Sequence, residues 1–271
     1  MDNKKFHNNL IVSTSPHIVT DEDTTKLMGT VLLAMLPALV ASTYIFGARV
    51  LLLAAVCIVA SVGFEWIYNM LAKKPQTISD LSAAVTGLLI AFNVPSSFPL
   101  WMAVIGCFVA IVVIKQLYGG IGRNFVNPAI TARIFLFISF AAQMTTWPLP
   151  RMAAKTDAVT GPTPLALVAG GASKSDLPSN MDMFLGFTGG SLGEVSALAL
   201  LVGGLFLIWR KVISPAIPCA FLGTVFVIAL AYYKGDFNMA IFHLCAGGVM
   251  LGAFFMATDY VTSPKLTKGQ I

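Results

Sequence analysis

Long apolar runs alternate with short polar connections along almost the whole chain. Eight of these runs approach or exceed the roughly 20 residues with which an α-helix crosses the hydrocarbon core of a bilayer. They cover residues 27–47, 50–71, 78–94, 100–117, 129–147, 192–209, 216–233 and 240–257. Prolines, which cannot continue a helix, stand at the ends of several runs, at Pro95, Pro99, Pro128, Pro148 and Pro215. The pattern predicts an all-α polytopic membrane protein with about eight transmembrane helices.

The third run, residues 78–94, is the shortest and carries Asp80 near its start. It can be a full crossing or a re-entrant half-helix. Lys and Arg accumulate on the cytoplasmic side of a membrane protein, so the charges of the loops discriminate between the two. Eight full crossings with the N-terminus inside put eleven basic residues inside and five outside, whereas a re-entrant third run makes the counts nine and seven. We therefore predict a full crossing, a cytoplasmic N-terminus and an outside loop at residues 148–191.

Composition agrees with the membrane interpretation and excludes several other classes. Of the 271 residues, 57% are apolar and 11% are charged, whereas a soluble domain has about 25% charged residues. A soluble enzyme and a disordered chain are therefore excluded. The 17 basic residues are scattered singly and form no patch for a nucleic acid.

Cysteine and histidine spacing predicts no metal site. The four cysteines lie inside apolar stretches without a CxxC pair, which is typical of small core- or lipid-facing residues; they are Cys57, Cys107, Cys219 and Cys245. The three histidines are isolated. Residues 1–25 contain no continuous apolar segment of the kind found in a signal peptide, so we expect a polar tail there.

Four ionisable residues lie within or at the edge of the apolar runs. A charge in the membrane is costly and indicates either a functional pathway or an internal ion pair. Asp80 and Glu194 lie close to predicted helix starts, where a negative charge is favourable, and we interpret both in that way. Glu65 and Arg133 have no such explanation, and the sequence leaves open whether they pair or conduct an ion.

The long loop at residues 148–191 contains the stretch Asp-Ala-Val-Thr-Gly-Pro-Thr-Pro-Leu at 157–165. Long loops tend to carry function. Two prolines restrict the backbone on either side of Thr163, so that its hydroxyl is held out from a rigid turn. Composition alone favours an ordinary extracellular turn.

Asp157, Thr160, Gly161, Thr163 and Leu165 match the flavinylation motif D-x-x-[S/T]-G-A-T-x-L. In this respect the chain resembles the family of the D subunit of the Rnf complex and the B subunit of the sodium-translocating NADH:quinone reductase. The resemblance implies FMN attached to Thr163 through a phosphoester bond by a flavin transferase. The proline at position 162 stands where the family usually has Ala.

Two further segments carry the same resemblance. Residues 119–129 are similar to the glycine-rich G-R/K-N-F-x-N-P-A segment of the family, and residues 255–264 to its F-F-M-A-T-D-x-V-T-S-P segment. Residues 13–18, Ser-Thr-Ser-Pro-His-Ile, favour the Rnf branch. The resemblance covers essentially the whole chain. It implies a fold like that of urea transporters, with two inverted repeats and with further C-terminal helices missing after residue 271.

Asn124 and Asn127 lie in the first of these segments. Asn127 before a proline at the start of an apolar run predicts a helix N-cap, which does not require Asn124. In the quinone-reductase relative the two asparagines resemble a noncovalent riboflavin site. Residues 259–261 echo residues 124–126, and paired breaks of this kind suggest an inverted repeat with the site between its halves. We thus expect a tail at 1–25, a first membrane repeat at 26–147, the outside loop at 148–191, and a second, incomplete repeat at 192–271.

The resemblance implies a membrane flavoprotein that carries electrons in a Na+- or H+-translocating ferredoxin:NAD+ oxidoreductase. It implies a multi-pass protein of the inner cell membrane, with no NAD or ferredoxin site on this chain. Its partners would be the bilayer and the A, B, C, E and G subunits of Rnf, especially the flavin-bearing G subunit. The alternatives are the B subunit of a Na+-translocating NADH:quinone reductase and, more distantly, a solute channel or transporter. A colourless purified chain would favour the transporter.

Overall fold

The computed structural model describes residues 23–150, 160–264 and 266–270. In this part the chain forms thirteen α-helices: α1 (Thr24–Phe46), α2 (Arg49–Leu71), α3 (Ser82–Phe92), α4 (Leu100–Phe108), α5 (Pro128–Ser139), α6 (Ala141–Met144), α7 (Pro164–Ala169), α8 (Asn180–Leu185), α9 (Ala197–Trp209), α10 (Ala216–Tyr232), α11 (Phe237–Cys245), α12 (Val249–Leu251) and α13 (Thr267–Gln270). Helices α4 and α12 continue as π-helices over Val109–Gln116 and Gly252–Met256. Two 3₁₀ turns cover Ile78–Asp80 and Lys174–Asp176. The prediction of an all-helical chain is confirmed.

Each predicted apolar run contains a helix, but the helices differ in length. Among the described residues, α1 and α2 are long and apolar enough to cross a membrane alone, and α11 with α12, bent by 66°, would make a third span. Helix α3 has 11 residues and is therefore about 16 Å long, roughly half the thickness of the hydrocarbon core. The run at 78–94 is thus not one continuous helix, because Leu81 at φ 61° separates α3 from the preceding 3₁₀ turn. The number of crossings stays a prediction.

The surface of the bundle is apolar, as expected for a protein whose solvent is lipid. Large apolar side chains such as Val40, Leu71 and Ile138 are more than half exposed. Inside, α1 and α9 touch at their backbones: a Cβ on Gly203 would lie 2.1 Å from the carbonyl oxygen of Ala34. Small residues permit such close approach between helices in membranes. This contact brings the two halves of the chain together.

The two segments that carry the sequence resemblance occupy comparable places in the fold. Helix α4 and helix α12 both continue into π-helical turns; the first segment follows the first of these turns, and the second segment begins in the last residues of the other. In the second segment, the phenol of Tyr260 donates to the carbonyl of Val212, which follows α9. The inverted repeat itself stays a prediction.

The described part of the loop at 148–191 is folded rather than extended. Helix α8 packs Met183 against Met239 and Phe242 of α11 in a small apolar cluster. The ammonium of Lys174 pairs with the carboxylate of Asp236, the N-cap of α11. The loop is therefore fastened to the start of α11.

Candidate functional site

Asn127 begins helix α5. Its Oδ1 accepts from the backbone N–H of Ala129 at 3.0 Å and of Ile130 at 3.3 Å, and Pro128 occupies the first helical position. This arrangement is the N-cap that the sequence predicts. Asn124 does not contribute to the cap: it is buried, and its Nδ2 donates to the carbonyl of Val126 at 3.0 Å.

Asn124 and Asn127 both line a cavity of about 370 Å³, named here the inner cavity. Residues 258–261 of the second segment form part of the same wall, and α3 contributes Ser82 and Leu89. The two segments, far apart in the sequence, thus meet at one cavity between the halves of the chain. Its volume falls within the roughly 300–1,000 Å³ of pockets that enclose a small molecule.

The two asparagines present complementary groups to the inner cavity. Among the described residues, their hydrogen bonds use Nδ2 of Asn124 and Oδ1 of Asn127. An amide has both an acceptor and two donors. Oδ1 of Asn124 and Nδ2 of Asn127 therefore remain for a ligand that has both a donor and an acceptor along one edge.

A buried ionic network adjoins the inner cavity. Lys115, which lines the cavity, pairs with Glu65 at 2.9 Å and donates to Oγ of Ser82 at 2.5 Å. The amide of Gln116 and the hydroxyl of Thr77 donate to the other carboxylate oxygen of Glu65, at 2.9 and 2.6 Å. The side chains of Lys115 and Glu65 are only 4% and 1% exposed. Glu65 is therefore half of an internal ion pair, one of the two roles that the sequence leaves open.

Asp80 has the role that the sequence predicts, because it accepts from the backbone N–H of Ser82 at 2.8 Å at the start of α3. The interpretation of Glu194 is wrong. Helix α9 is capped by Ser196, which accepts from the N–H of Ala199 at 3.3 Å, and Glu194 instead pairs with Arg133 of α5. The position of Glu194 is therefore set by its ion pair with Arg133, which is distant in the sequence, rather than by the start of α9.

Thr163 is the N-cap of helix α7. Its Oγ1 accepts from the backbone N–H of Ala166 at 3.2 Å, and Pro164 follows at the first helical position. Upstream, Thr160 is exposed and bridges to Pro148, while the N–H of Gly161 donates to the carbonyl of Trp147 at 3.0 Å. Asp157, the first residue of the predicted motif, lies outside the described residues.

A second cavity of about 160 Å³, named here the outer cavity, lies beside Thr163. Its walls include Arg133, Trp147, Glu194 and residues 245–248. Arg133 donates from Nη1 to Oδ1 of Asn93 at 2.8 Å and to the carboxylate of Glu194. The structure thus places the ion pair of Arg133 and Glu194, and the aromatic ring of Trp147, beside the threonine of the predicted motif.

The break between α11 and α12 closes one side of the outer cavity. A Cβ on Gly248 would lie 2.6 Å from Oε1 of Glu194, and one on Gly247, which has φ 62°, would lie 2.9 Å from the side chain of Leu165. Glycine is required where backbone approaches this closely. The 66° bend therefore lets the chain contact both the ion pair and the helix that bears Thr163.

A short polar route, a chain of hydrogen bonds from Arg133 through Asn93 to the carbonyl of Leu89, connects the walls of the two cavities. Asn127 lines the inner cavity and Arg133 the outer one, and their separation of six positions in the sequence corresponds to about 9 Å along the axis of α5. Asn93, which accepts from Arg133, donates from Nδ2 to the carbonyl of Leu89 at 2.6 Å, and Leu89 lines the inner cavity. Sequence reasoning missed Asn93 and Lys115 as site residues. For Arg133 the sequence indicates only a charge in an apolar run, without a partner.

Comparisons with known proteins agree on one family. The model described as the NQR2, RnfD, RnfE family matches residues 11–271. The D subunit of the Na+-translocating ferredoxin:NAD+ oxidoreductase complex of Acetobacterium woodii is 48% identical, over 97% of this chain and 81% of that protein. The D subunit of the proton-translocating ferredoxin:NAD+ oxidoreductase complex of Clostridium ljungdahlii is 41% identical, over 96% and 81%. The D subunit of the ion-translocating oxidoreductase complex of Rhodobacter capsulatus is 36% identical, over 94% and 80%.

Proposed function

Because the chain belongs to the NQR2, RnfD, RnfE family, we propose that it is a membrane flavoprotein subunit that carries electrons in an ion-translocating ferredoxin:NAD+ oxidoreductase. Two of the relatives above are named as D subunits of such complexes, and the third as the D subunit of an ion-translocating oxidoreductase complex. The observation that supports a flavin role is the position of Thr163, which lines a cavity together with Arg133 and Trp147. The coupling ion is Na+ or H+, since relatives are named for each.

We assign covalent FMN to Thr163. The outer cavity, at about 160 Å³, is about half the smallest pocket that usually encloses a whole ligand. It therefore suits the phosphoryl linkage and the adjoining ribityl chain, while the ring system would extend beyond it. Thr160 and Gly161 hold the segment before Thr163 against Trp147 and Pro148. Thr163 is half-buried rather than enclosed, which leaves access for a flavin transferase.

We assign noncovalent riboflavin to the inner cavity. Its volume of about 370 Å³ admits a ligand of that size. Asn124 supplies an acceptor and Asn127 a donor, which suits the alternating N–H and C=O groups along the pyrimidine edge of a flavin. Apolar side chains such as Leu89 and Phe254 form much of the remaining wall and offer an apolar surface to the ring system.

When bound, a flavin supplies the reversible uptake of one or two electrons, while the protein supplies position and electrostatics. The residues of this chain do the second part. Asn127, in the wall of the inner cavity, and Arg133, in the wall of the outer cavity, are about 9 Å apart along the axis of α5, well within the ~30 Å hydrocarbon core. Lys115 places a positive charge, balanced by Glu65, at the wall of the inner cavity.

The proposed setting is the inner cell membrane, with the N-terminus in the cytoplasm and residues 148–191 outside. In that orientation Thr163 lies on the outer side of the membrane, and we propose contact with the flavin-bearing G subunit there. The A, B, C and E subunits complete the proposed assembly. NAD and ferredoxin would bind to subunits other than this chain.

Fluorescence of the denatured chain tests the covalent flavin. After co-expression with a flavin transferase, the wild-type chain should show a yellow fluorescent band on a denaturing gel. Thr163→Ala should lose the band and still insert into the membrane. Thr188→Ala is the matched control, because Thr188 lines the same cavity, and it should keep the band. A fluorescent band in Thr163→Ala, or a colourless wild-type chain, would contradict the proposal.

A further inference from the structure

Arg133 supplies the positive charge of the outer cavity. Among the lining residues that the structure describes, it is the only cationic side chain. Its side chain is 34% exposed, whereas that of its partner Glu194 is 7% exposed. The guanidinium therefore lies where it can reach both a buried carboxylate and a group that enters the cavity from Thr163.

The guanidinium is only partly used by the protein. It has five N–H donors in a planar fork. Both hydrogen bonds found for Arg133 within the described residues leave from Nη1, to Asn93 and to a single oxygen of Glu194. A carboxylate that fully engages an arginine takes two parallel N–H bonds. Here the ion pair is monodentate, because only Nη1 contacts Glu194. The Nε–H and Nη2–H₂ groups therefore remain for another anion.

A phosphate on Thr163 would require such a cation. A phosphodiester at Thr163 brings a negative charge into a cavity that already holds the carboxylate of Glu194. Two anions in a small, partly buried space repel one another unless a cation lies between them. Arginine matches a phosphate with two parallel N–H bonds, which lysine cannot do.

We propose that Arg133 is a positioning residue that binds the phosphate of FMN on Thr163, while Asn93 and Glu194 hold its guanidinium in place. This assignment rests on the proposed covalent attachment. Gly248 contributes to holding Glu194 in place, because a side chain at this position would displace the carboxylate of Glu194. Arg133 and Glu194 then have opposite electrostatic effects on the flavin, and the bond from Arg133 to the phosphate also restricts the motion of the flavin, which a merely structural ion pair would not do.

The test uses the full chain, flavinylated in cells, purified in detergent and washed free of noncovalent flavin. Arg133→Met should remain flavinylated, with lower flavin fluorescence anisotropy and a midpoint potential shifted to more negative values. Glu194→Gln should shift the potential to more positive values. Arg133→Lys, which keeps the charge without the fork, should restore the potential and not the anisotropy. Arg49→Met is the matched control, because Arg49 donates from Nε to the carbonyl of Ser96 at 3.0 Å, outside the cavity.

Unchanged potential and anisotropy in Arg133→Met would overturn the assignment, as would shifts of the same sign in Arg133→Met and Glu194→Gln. If Arg133→Met does not fold, the other two variants still test the assignment. A normal anisotropy in Arg133→Lys would contradict it, and so would an unshifted midpoint potential in Glu194→Gln. A wild-type chain without covalent flavin would instead refute the proposed function. That result is visible before any Arg133 variant is made.

Discussion

Lys115 and Glu65 form an ion pair of 2.9 Å between the π-helical end of α4 and helix α2, with both side chains almost fully buried. Three further polar groups, from Ser82, Gln116 and Thr77, complete the hydrogen bonds of the pair. Burying two charges is favourable only when geometry and hydrogen bonding are satisfied in this way. The network therefore fixes the packing of α2, α3 and α4 beside the inner cavity.

Removing one partner of this pair should destabilise the bundle strongly. Lys115→Met leaves Glu65 buried without its cation, which costs about 3–5 kcal/mol. The double variant Lys115→Met with Glu65→Gln should recover most of that loss. Thermal unfolding in detergent measures both. The control is Lys74→Met, since exposed Lys74 loses only a cation–π contact with Tyr68, on the order of 0.5–1 kcal/mol. Equal losses in the Lys115 and Lys74 variants would count against the pair.

The inner cavity predicts a selective loss of riboflavin. Asn124→Leu combined with Asn127→Leu should keep covalent FMN and lose flavin that can be extracted by acid, because the acceptor and donor are both gone. Loss of the cap at Asn127 costs only about 1 kcal/mol, so the variant should still fold.

Asn127→Ser separates the cap from the site. Serine caps a helix as well as asparagine does but has no amide donor. We therefore expect normal thermal stability and reduced riboflavin content, measured per mole of chain. Full riboflavin content in the double leucine variant would leave the two asparagines with the roles of a cap and a turn.

The predicted topology can be tested by labelling single cysteines in a chain from which the four native cysteines are removed. A cysteine at Ser173, in the loop at 148–191, should react with a membrane-impermeant reagent added to whole cells. A cysteine at Lys74, after α2, should react only after the membrane is opened. Both positions are exposed, so that the side of the membrane on which each cysteine lies, and not its burial, decides whether it reacts. If neither cysteine reacts in whole cells, the third run does not cross the membrane, whereas the reverse pattern would show that the N-terminus is outside.

Acid should loosen the attachment of the outside loop to α11. The Lys174 ammonium, followed by the backbone N–H of Met239, holds the pKa of Asp236 below its usual range. A carboxylate with a lowered pKa stabilises the folded state above its unfolded pKa, and that contribution is lost as the pH falls through the folded pKa.

We therefore expect faster hydrogen exchange in residues 173–185 at strongly acid pH than at neutral pH, after correction for intrinsic rates. Asp236→Asn keeps a good N-cap but removes the charge. It should show the faster exchange already at neutral pH and no acid step. An acid step of the same size in Asp236→Asn would assign the effect to another group.

Features that depend on neighbours along the chain could be predicted from the amino-acid sequence. The motif at 157–165 predicts the flavin role of Thr163 through the family resemblance, and that role stays a prediction. The apolar runs predict the helices, and Asn127 with Pro128 predicts the start of α5, because helix formation and capping are local. The same local logic misassigned Glu194, whose partner Arg133 is 61 residues away.

Which distant side chains meet depends on the packing of the helices in three dimensions. Glu65 and Lys115 are 50 residues apart, Asn93 and Arg133 40, and no periodicity in the sequence indicates either pair. Charges buried in an apolar bundle must find partners, but helix packing selects them. The close contact of α1 with α9 and the bend between α11 and α12 set where the halves of the chain meet. The two cavities, and the short polar route between them, are consequences of that packing.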